Sequence, residues 1–300
     1  MKKQHIILLM AATMMLSTGC NRLDILGMVV NRSHTEERVA DWLDYNSQNG
    51  MPVIENVPDE YHIYSCSDSH YSDRDGIVPQ GENDRLYQYV TNERNDPKAV
   101  FAILAGDLVN QSGEAGFKLV EEAISFNENT QAKNDPCFAV IGNHDVYYDC
   151  AEFYKKYFHT STYTVTVKTV GGFKDLFIFL DSANGTFGQR QLEWLEEQLN
   201  QEYRHCVVVS HNWFFRTTYN YTTTPAANLP LDEQYAFMDL MSRSNVELVI
   251  MGHFHAREQR QFGGVQYVMT DNLNDGGTPS YLVVTMGEKI TYDYEELDMD

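Results

Sequence analysis

The chain has 300 residues, and its 43% hydrophobic and 22% charged content suits one large or two small globular domains with a sizeable core. A formal charge of −21 excludes the basic track that polymeric nucleic acid needs, so DNA and RNA are ruled out as bulk partners. It does not exclude a small anionic substrate, because bound metal ions invert the potential inside a single pocket.

In chain order, Met1 to Lys3 is basic, Ile6 to Leu16 is apolar but too short to span a bilayer, and Ser17-Thr18-Gly19-Cys20 follows. That is the layout of a secretory signal. The small residues before Cys20 resemble the lipobox of a bacterial lipoprotein signal. The resemblance implies cleavage before Cys20, lipidation of its thiol and export. The product would be anchored to the bacterial cell envelope, on its periplasmic face or at the cell surface. Leu16 sits one place earlier than the consensus leucine, so a plain cleaved signal stays open. Residues 21–58 then read as a tether and an N-terminal helix, with Val39, Trp42 and Leu43 at helical spacing within Ser33 to Tyr45. Gly50, Pro52 and Pro58 stop that helix.

From residue 59 to 295 short apolar runs alternate with helical ones. Strands are predicted at 61–67, 98–105, 137–142, 176–180, 205–210 and 246–252, and helices at 83–92, 116–128, 151–157, 189–200 and 231–243. Residues 163–170, 265–270, 281–286 and 289–294 read as antiparallel strands. Because the apolar strands do not alternate with polar residues, they are expected to be buried on both faces. The predicted class is α/β, a four-layer α-β-β-α sandwich of two mixed β-sheets flanked by helices.

The polar residues fall at the strand ends. The 61 strand runs into Asp68-Ser69-His70, the 98 strand into Gly106-Asp107, and the 137 strand into Gly142-Asn143-His144-Asp145. The 205 strand runs into His211, and the 246 strand into Gly252-His253-Phe254-His255. Carboxyl ends of strands are where open α/β sheets place their sites. Aspartate, histidine and asparagine without cysteine form a hard-to-borderline ligand set suited to Mn, Fe, Zn or Co. Seven such side chains exceed the needs of one ion and serve two if one carboxylate bridges. The glycines at 106, 142 and 252 are expected to permit sharp turns.

DSH at 68, GD at 106, GNHD at 142, the lone His211 and GHFH at 252 resemble the calcineurin-like metallophosphoesterase family over roughly Tyr61 to Ala256. The resemblance implies two divalent or trivalent metal ions. Asp68, His70 and His255 would hold the first, Asn143, His211 and His253 the second, and Asp107 both. It further implies a metal-bridging hydroxide attacking phosphorus, with His144 as general acid and Asp145 orienting its loop. The implied substrate is a small phosphate ester, with a slight preference for phosphodiesters or small phosphomonoesters. The rival reading is a non-catalytic surface lipoprotein that binds a phosphorylated ligand or glycan.

Around this core, Asp181, Gln191 and Trp194 read as structural, and His5, His34, His62, His159 and His205 fit no ligand position. Arg74, Arg216 and Trp213 are candidate substrate contacts, Trp213 as part of an aromatic run over 213–225. Purple acid phosphatases carry a tyrosine ligand three residues after the bridging aspartate, where this chain has Asn110. Asn212-Trp213 replaces the proline-containing turn of many relatives. Cys66, Cys137, Cys150 and Cys206 show no metal-like spacing, and any pairing among them is open.

Overall fold

The computed structural model describes residues 25–71, 80–110, 113–125, 135–215, 229–273 and 279–297. Its elements are α1 (Ile25–Asn49), β1 (Val53–Val57), β2 (Tyr61–Cys66), α2 (Gln80–Asn95), β3 (Ala99–Leu104), α3 (Gly113–Ser125) and β4 (Cys137–Ala139). A 3₁₀ turn at His144–Asp149 leads into α4 (Ala151–Phe158), β5 (Tyr163–Thr169), β6 (Lys174–Phe179), α5 (Gln189–Leu199) and β7 (Cys206–Asn212). The chain continues through α6 (Leu231–Arg243), β8 (Leu248–Gly252), β9 (Glu258–Phe262), β10 (Val265–Met269), β11 (Ser280–Met286) and β12 (Ile290–Glu296).

The strands form a seven-stranded sheet, β1-β5-β6-β7-β8-β10-β9, and a five-stranded sheet, β12-β11-β2-β3-β4. Each is mixed: β6, β7, β8 and β10 run parallel, as do β2, β3 and β4, with antiparallel strands beside them. This is the expected four-layer sandwich.

Unalternated strands are explained by three apolar clusters, one between the sheets and one outside each. Phe177 and Phe179 of β6, Val207 and Val209 of β7, and Phe101 and Ile103 of β3 point into the space between the sheets. Their neighbours Leu176, Ile178 and Val208 point outward, under Leu195, Leu199 and Phe237 of α5 and α6. Ala102 and Leu104 of β3 point outward under Leu86, Phe117 and Tyr154 of α2, α3 and α4. Every second side chain therefore finds an apolar layer on either face, each large one worth about 1.5–3 kcal/mol when fully buried.

Two strands escaped the sequence reading. β1 falls in the stretch read as tether, yet pairs parallel with β5, so the sheet begins before residue 59. Four of its five residues are exposed or half-exposed, which leaves no alternation to detect. β9 is a polar edge strand, held to β10 through Gly263-Gly264, both at positive φ as a two-residue hairpin loop requires. That glycine pair was the available signal.

Helix α1 extends beyond the predicted segment at both ends and packs on the body through Thr35, Val39, Trp42 and Asn46. Arg38 donates a bidentate pair of hydrogen bonds to buried Asp181 at 2.9 and 3.0 Å, and Trp42 Nε1 donates to the same carboxylate at 3.2 Å. Breaking such a buried pair by removing one partner costs about 3–5 kcal/mol. Glu36 accepts the Gln189 N–H at 2.5 Å, capping α5 from outside. α1 is thus part of the folded body. Among the described residues no helix is long and apolar enough to cross a membrane. Cys66, Cys137, Cys150 and Cys206 are unpaired, so no disulfide links them.

At the opposite end from the strand-end loops, His205 closes the sandwich. Its Nδ1 lies 2.6 Å from Glu247 Oε2 and its Nε2 lies 2.9 Å from the Gly287 carbonyl. Both ring nitrogens face acceptors, a state only imidazolium satisfies. The Glu247 hydrogen bond raises its pKa, against burial. The stability this contributes is fully present below the unfolded value of about 6.5 and is lost as pH rises through the raised folded value. We expect His205→Gln to lower the melting temperature more at pH 5.5 than at pH 9; an equal loss at both would show the ring to be uncharged.

Candidate metal centre

β2, β3 and β4 of one sheet and β7 and β8 of the other deliver their carboxyl ends to one place. The loops there are stitched together: Asp68 N–H donates to the Gly106 carbonyl at 3.0 Å, His70 N–H to the Asp107 carbonyl at 3.0 Å, and Tyr71 N–H to the Leu108 carbonyl at 2.9 Å. This backbone lattice holds unusual conformations. Asp68, His70, Asp107, His253 and His255 all have positive φ, between 45° and 87°. Each such non-glycine residue costs on the order of 1–3 kcal/mol and persists only where its surroundings impose it.

The glycines serve a different purpose from the one expected. Only Gly106 among the three has positive φ; the strain sits on the ligand residues themselves. What all three provide is room. A Cβ at Gly106 would lie 2.4 Å from His211 Nδ1, at Gly142 2.2 Å from Asp107 Oδ1, and at Gly252 2.7 Å from Asp68 Oδ2.

Two main sets of ligand atoms result, with a third that overlaps both. Asp68, His70 and His255 converge in the first, Asp107, His211 and His253 in the second with Asn143 beside it, and His70, Asp107 and His144 form the group that spans them. In the first set, Asp68 Oδ1 lies 3.3 Å from His255 Nε2 and 3.7 Å from His70 Nε2. Asp107 Oδ2 lies 3.8 Å from His70 Nε2 and 3.2 Å from His211 Nε2, so one oxygen faces a ligand of each set. Asn143 Oδ1 lies 3.1 Å from His211 Nε2.

These residues fit metal ions on independent grounds. Asp68 Oδ1 and both ring nitrogens of His253 are buried without a hydrogen-bond partner, which is costly unless a cation completes them. Burial holds His253 down at about 4, with His211 adding to the effect, so its ring is neutral and its lone pair available. His211 behaves oppositely. Burial disfavours its charge, but Asp107 and Asp68 outweigh that and raise it to about 9. Those carboxylates stabilise positive charge at Nε2, which a metal ion there would supply in place of the proton.

A second layer aims Asp107, Asp68, His211 and Asn143. Asp107 Oδ1 accepts the His144 N–H at 2.7 Å, leaving Oδ2 for the cluster. Asp68 Oδ2 accepts Ser67 Oγ–H at 2.5 Å and His253 N–H at 2.9 Å, leaving Oδ1 inward. The Ala105 carbonyl, 2.8 Å from His211 Nδ1, accepts its N–H and turns Nε2 to the cluster. Asn143 Nδ2 donates to Tyr147 Oη at 3.3 Å, which points Oδ1 inward.

His144 sits above these ligands, its ring edge-on to His70 at 4.6 Å and its Nδ1 3.1 Å from Asn110 Oδ1. Burial lowers its pKa, and nearby Asp107 opposes this. Asp145 touches no ligand atom. Wholly buried, it accepts Gly142 N–H at 2.8 Å and Val109 N–H at 3.0 Å, clamping the 142 loop to the 107 loop. Burial and then Asp107 push its carboxyl up to about 7. Trp213 is 1% exposed and packs in the outer apolar layer with Phe215 at 5.1 Å, not among the ligands. Cys20, Arg74 and Arg216 lie outside the described residues.

Sequence reasoning missed Ser67 and Tyr147, whereas Ser182, read with Asp181 as a structural strand end, proves to support His211. The register of β7 against β8 slips between Val209 and Asn212, freeing backbone groups where His211 turns inward. Ser182 Oγ, at the end of β6, accepts His211 N–H at 3.3 Å and Asn212 N–H at 3.0 Å. Its place at a strand end was the signal, shared with Asp68 and Asp107. Ser182→Ala should weaken Mn²⁺ binding about 10–100-fold by calorimetry; unchanged affinity would show that the bulge alone positions His211.

Residues 61–257 match the calcineurin-like phosphoesterase family. No curated protein matches the chain. Among solved structures, a dimetal phosphatase from Danio rerio shares the fold with a TM-score of 0.59 at 14% identity, over 79% of this chain and 98% of that one. GAP50, the anchor in the inner membrane complex of Plasmodium, gives 0.59 at 15% identity, over 79% and 84%. A purple acid phosphatase from yellow lupin seeds gives 0.60 at 12% identity, over 80% of this chain and 52% of that one. Since the family match runs from the start of β2 past the loop bearing His253 and His255, this chain belongs to the calcineurin-like phosphoesterase family.

Proposed function

We propose that the protein is an exported, lipid-anchored phosphoesterase that hydrolyses small phosphate esters at a centre of two metal ions. The observation that carries the two-metal reading is Asp107 Oδ2, which faces a histidine of each ligand set; export and anchoring rest on the sequence of residues 1–20 alone. Asp68, His70 and His255 would hold one ion, Asn143, His211 and His253 the other, and Asp107 both. Bound there, cations supply charge neutralisation at the phosphoryl oxygens and a water acidified for in-line attack.

The chain's own contribution to the reaction is His144. Asn110 Oδ1 accepts a hydrogen bond from Nδ1–H, which leaves Nε2 to face the substrate. The proton on Nε2 of the imidazolium passes to the departing ester oxygen, and the ring recovers one from solvent. Such transfers contribute about 10²–10⁴-fold in rate. Asn110 also supports a site without a tyrosinate ligand, since amide replaces phenol at that position.

The test is hydrolysis of bis-p-nitrophenyl phosphate against p-nitrophenyl phosphate with Mn²⁺ present. We expect turnover of both, the diester slightly faster, and none from Asp107→Asn. His144→Ala should retain the metals and slow esters of poor leaving groups most; uniform slowing would remove the acid role. Two bound metals with no turnover would favour a binding protein instead. For the anchor, Cys20→Ala is expected to move the protein from the membrane fraction to the soluble one, and a variant still sedimenting with membranes would exclude lipidation.

A further inference from the structure

Tyr147, on the turn that follows the 142 loop, is held in place by backbone strain. Within His144–Asp149 the 3₁₀ geometry breaks at this residue, which is extended at φ −67° and ψ 143°. Tyr148 and Asp149 then take left-handed conformations, at φ 54° and 63°. Both cost free energy, and Tyr148 is 80% exposed, so packing of its own side chain does not offset that cost. The kink instead folds Tyr147 back towards the centre. Cys150 N–H closes it by donating to the Tyr147 carbonyl at 3.1 Å, and the Tyr147 ring meets the His144 ring edge-on with centroids 5.1 Å apart.

Tyr147 therefore touches two residues of the site at once. Its Oη accepts Asn143 Nδ2–H at 3.3 Å, while Asn143 Oδ1 lies 3.1 Å from His211 Nε2. The His144 ring belongs to the group that spans the two ligand sets. With Asn143 on an ion and His144 serving the departing oxygen, the phosphoryl group would lie between these two residues, and the Tyr147 ring borders both. The hydroxyl also has the right polarity. As acceptor from Asn143 it keeps its own proton, which has no acceptor among the described residues. Hydroxyl donors nearby are engaged elsewhere, Ser67 with Asp68 Oδ2 and Ser69 with the Leu108 carbonyl at 3.0 Å, and the ligand carboxylates only accept.

We propose that Tyr147 is a substrate contact, donating its Oη–H to a phosphoryl oxygen of the bound ester. The assignment rests on the phosphoesterase reading of the centre. A phenol suits this place because its hydrogen bond to an anionic oxygen is stronger than one to a neutral acceptor. The same bond would form to inorganic phosphate, the product of complete hydrolysis, which makes phosphate the probe.

The experiment is calorimetric titration of inorganic phosphate into the full chain at saturating Mn²⁺, with two ions per chain verified by elemental analysis. Tyr147→Phe removes the hydroxyl and keeps the ring. It also frees Asn143 Nδ2, so its Mn²⁺ affinity should fall as well, and saturation removes that effect. Ser182→Ala is the comparator, since it disturbs His211 through the backbone alone. With both variants loaded, we expect Tyr147→Phe to weaken phosphate by about tenfold or more, and Ser182→Ala to bind it as the unsubstituted chain does. Unchanged phosphate affinity in Tyr147→Phe would make the tyrosine a support for Asn143 only and overturn the inference. Equal weakening in both variants would overturn it too, because any disturbance of the ligands would then suffice. Failure of Tyr147→Phe to hold two ions at any Mn²⁺ concentration would assign the hydroxyl to the metals and overturn it equally. An unsubstituted chain that holds two Mn²⁺ yet neither binds phosphate nor hydrolyses either nitrophenyl ester would overturn the phosphoesterase reading itself, and this contact with it.

Discussion

One carboxylate ties the molecule's two halves to a common point. Asp107 leaves β3 of the five-stranded sheet, yet its Oδ2 lies 3.2 Å from His211, which leaves β7 of the other sheet. Its remaining oxygen accepts the N–H of His144, at the end of β4. The ligand cluster exists only while the sheets keep their relative position. That position is set by the core between them, where Phe101 meets Phe177 edge-on at 5.0 Å and Phe138 meets Phe179 at 5.9 Å. The centre is therefore as rigid as the core beneath it.

The strain in the centre has the same origin. Five ligand residues adopt left-handed backbone conformations, which none would hold in an isolated loop. Hydrogen bonds between the 68 and 107 loops, the Asp145 clamp and the space cleared by three glycines together impose them. A rigid first layer costs free energy that the parallel strands and their two apolar layers offset. The N-terminal helix takes part in this scaffold. Through Arg38 it grips Asp181 at the end of β6, and the next residue, Ser182, accepts the backbone of His211.

The charge distribution serves the same chemistry. An acidic chain repels anions at long range, so an anionic ester would depend on metal charge inside the pocket to be held.

The sequence alone determined the layered architecture and the metal-ligand residue types. Both arise from short-range pattern: apolar runs of strand length, and polar side chains directly after them. It did not reveal β1 or β9, whose exposed residues carry no alternation, nor the full extent of α1. Tertiary structure decided which oxygen of Asp107 faces the cluster, that Asp145 braces a loop, that Trp213 belongs to the outer core, and that Ser182 supports His211. The physical reason is common to all four. Each depends on which groups from distant parts of the chain compete for the same atom or the same space, and that competition is settled only when both sheets close on one another.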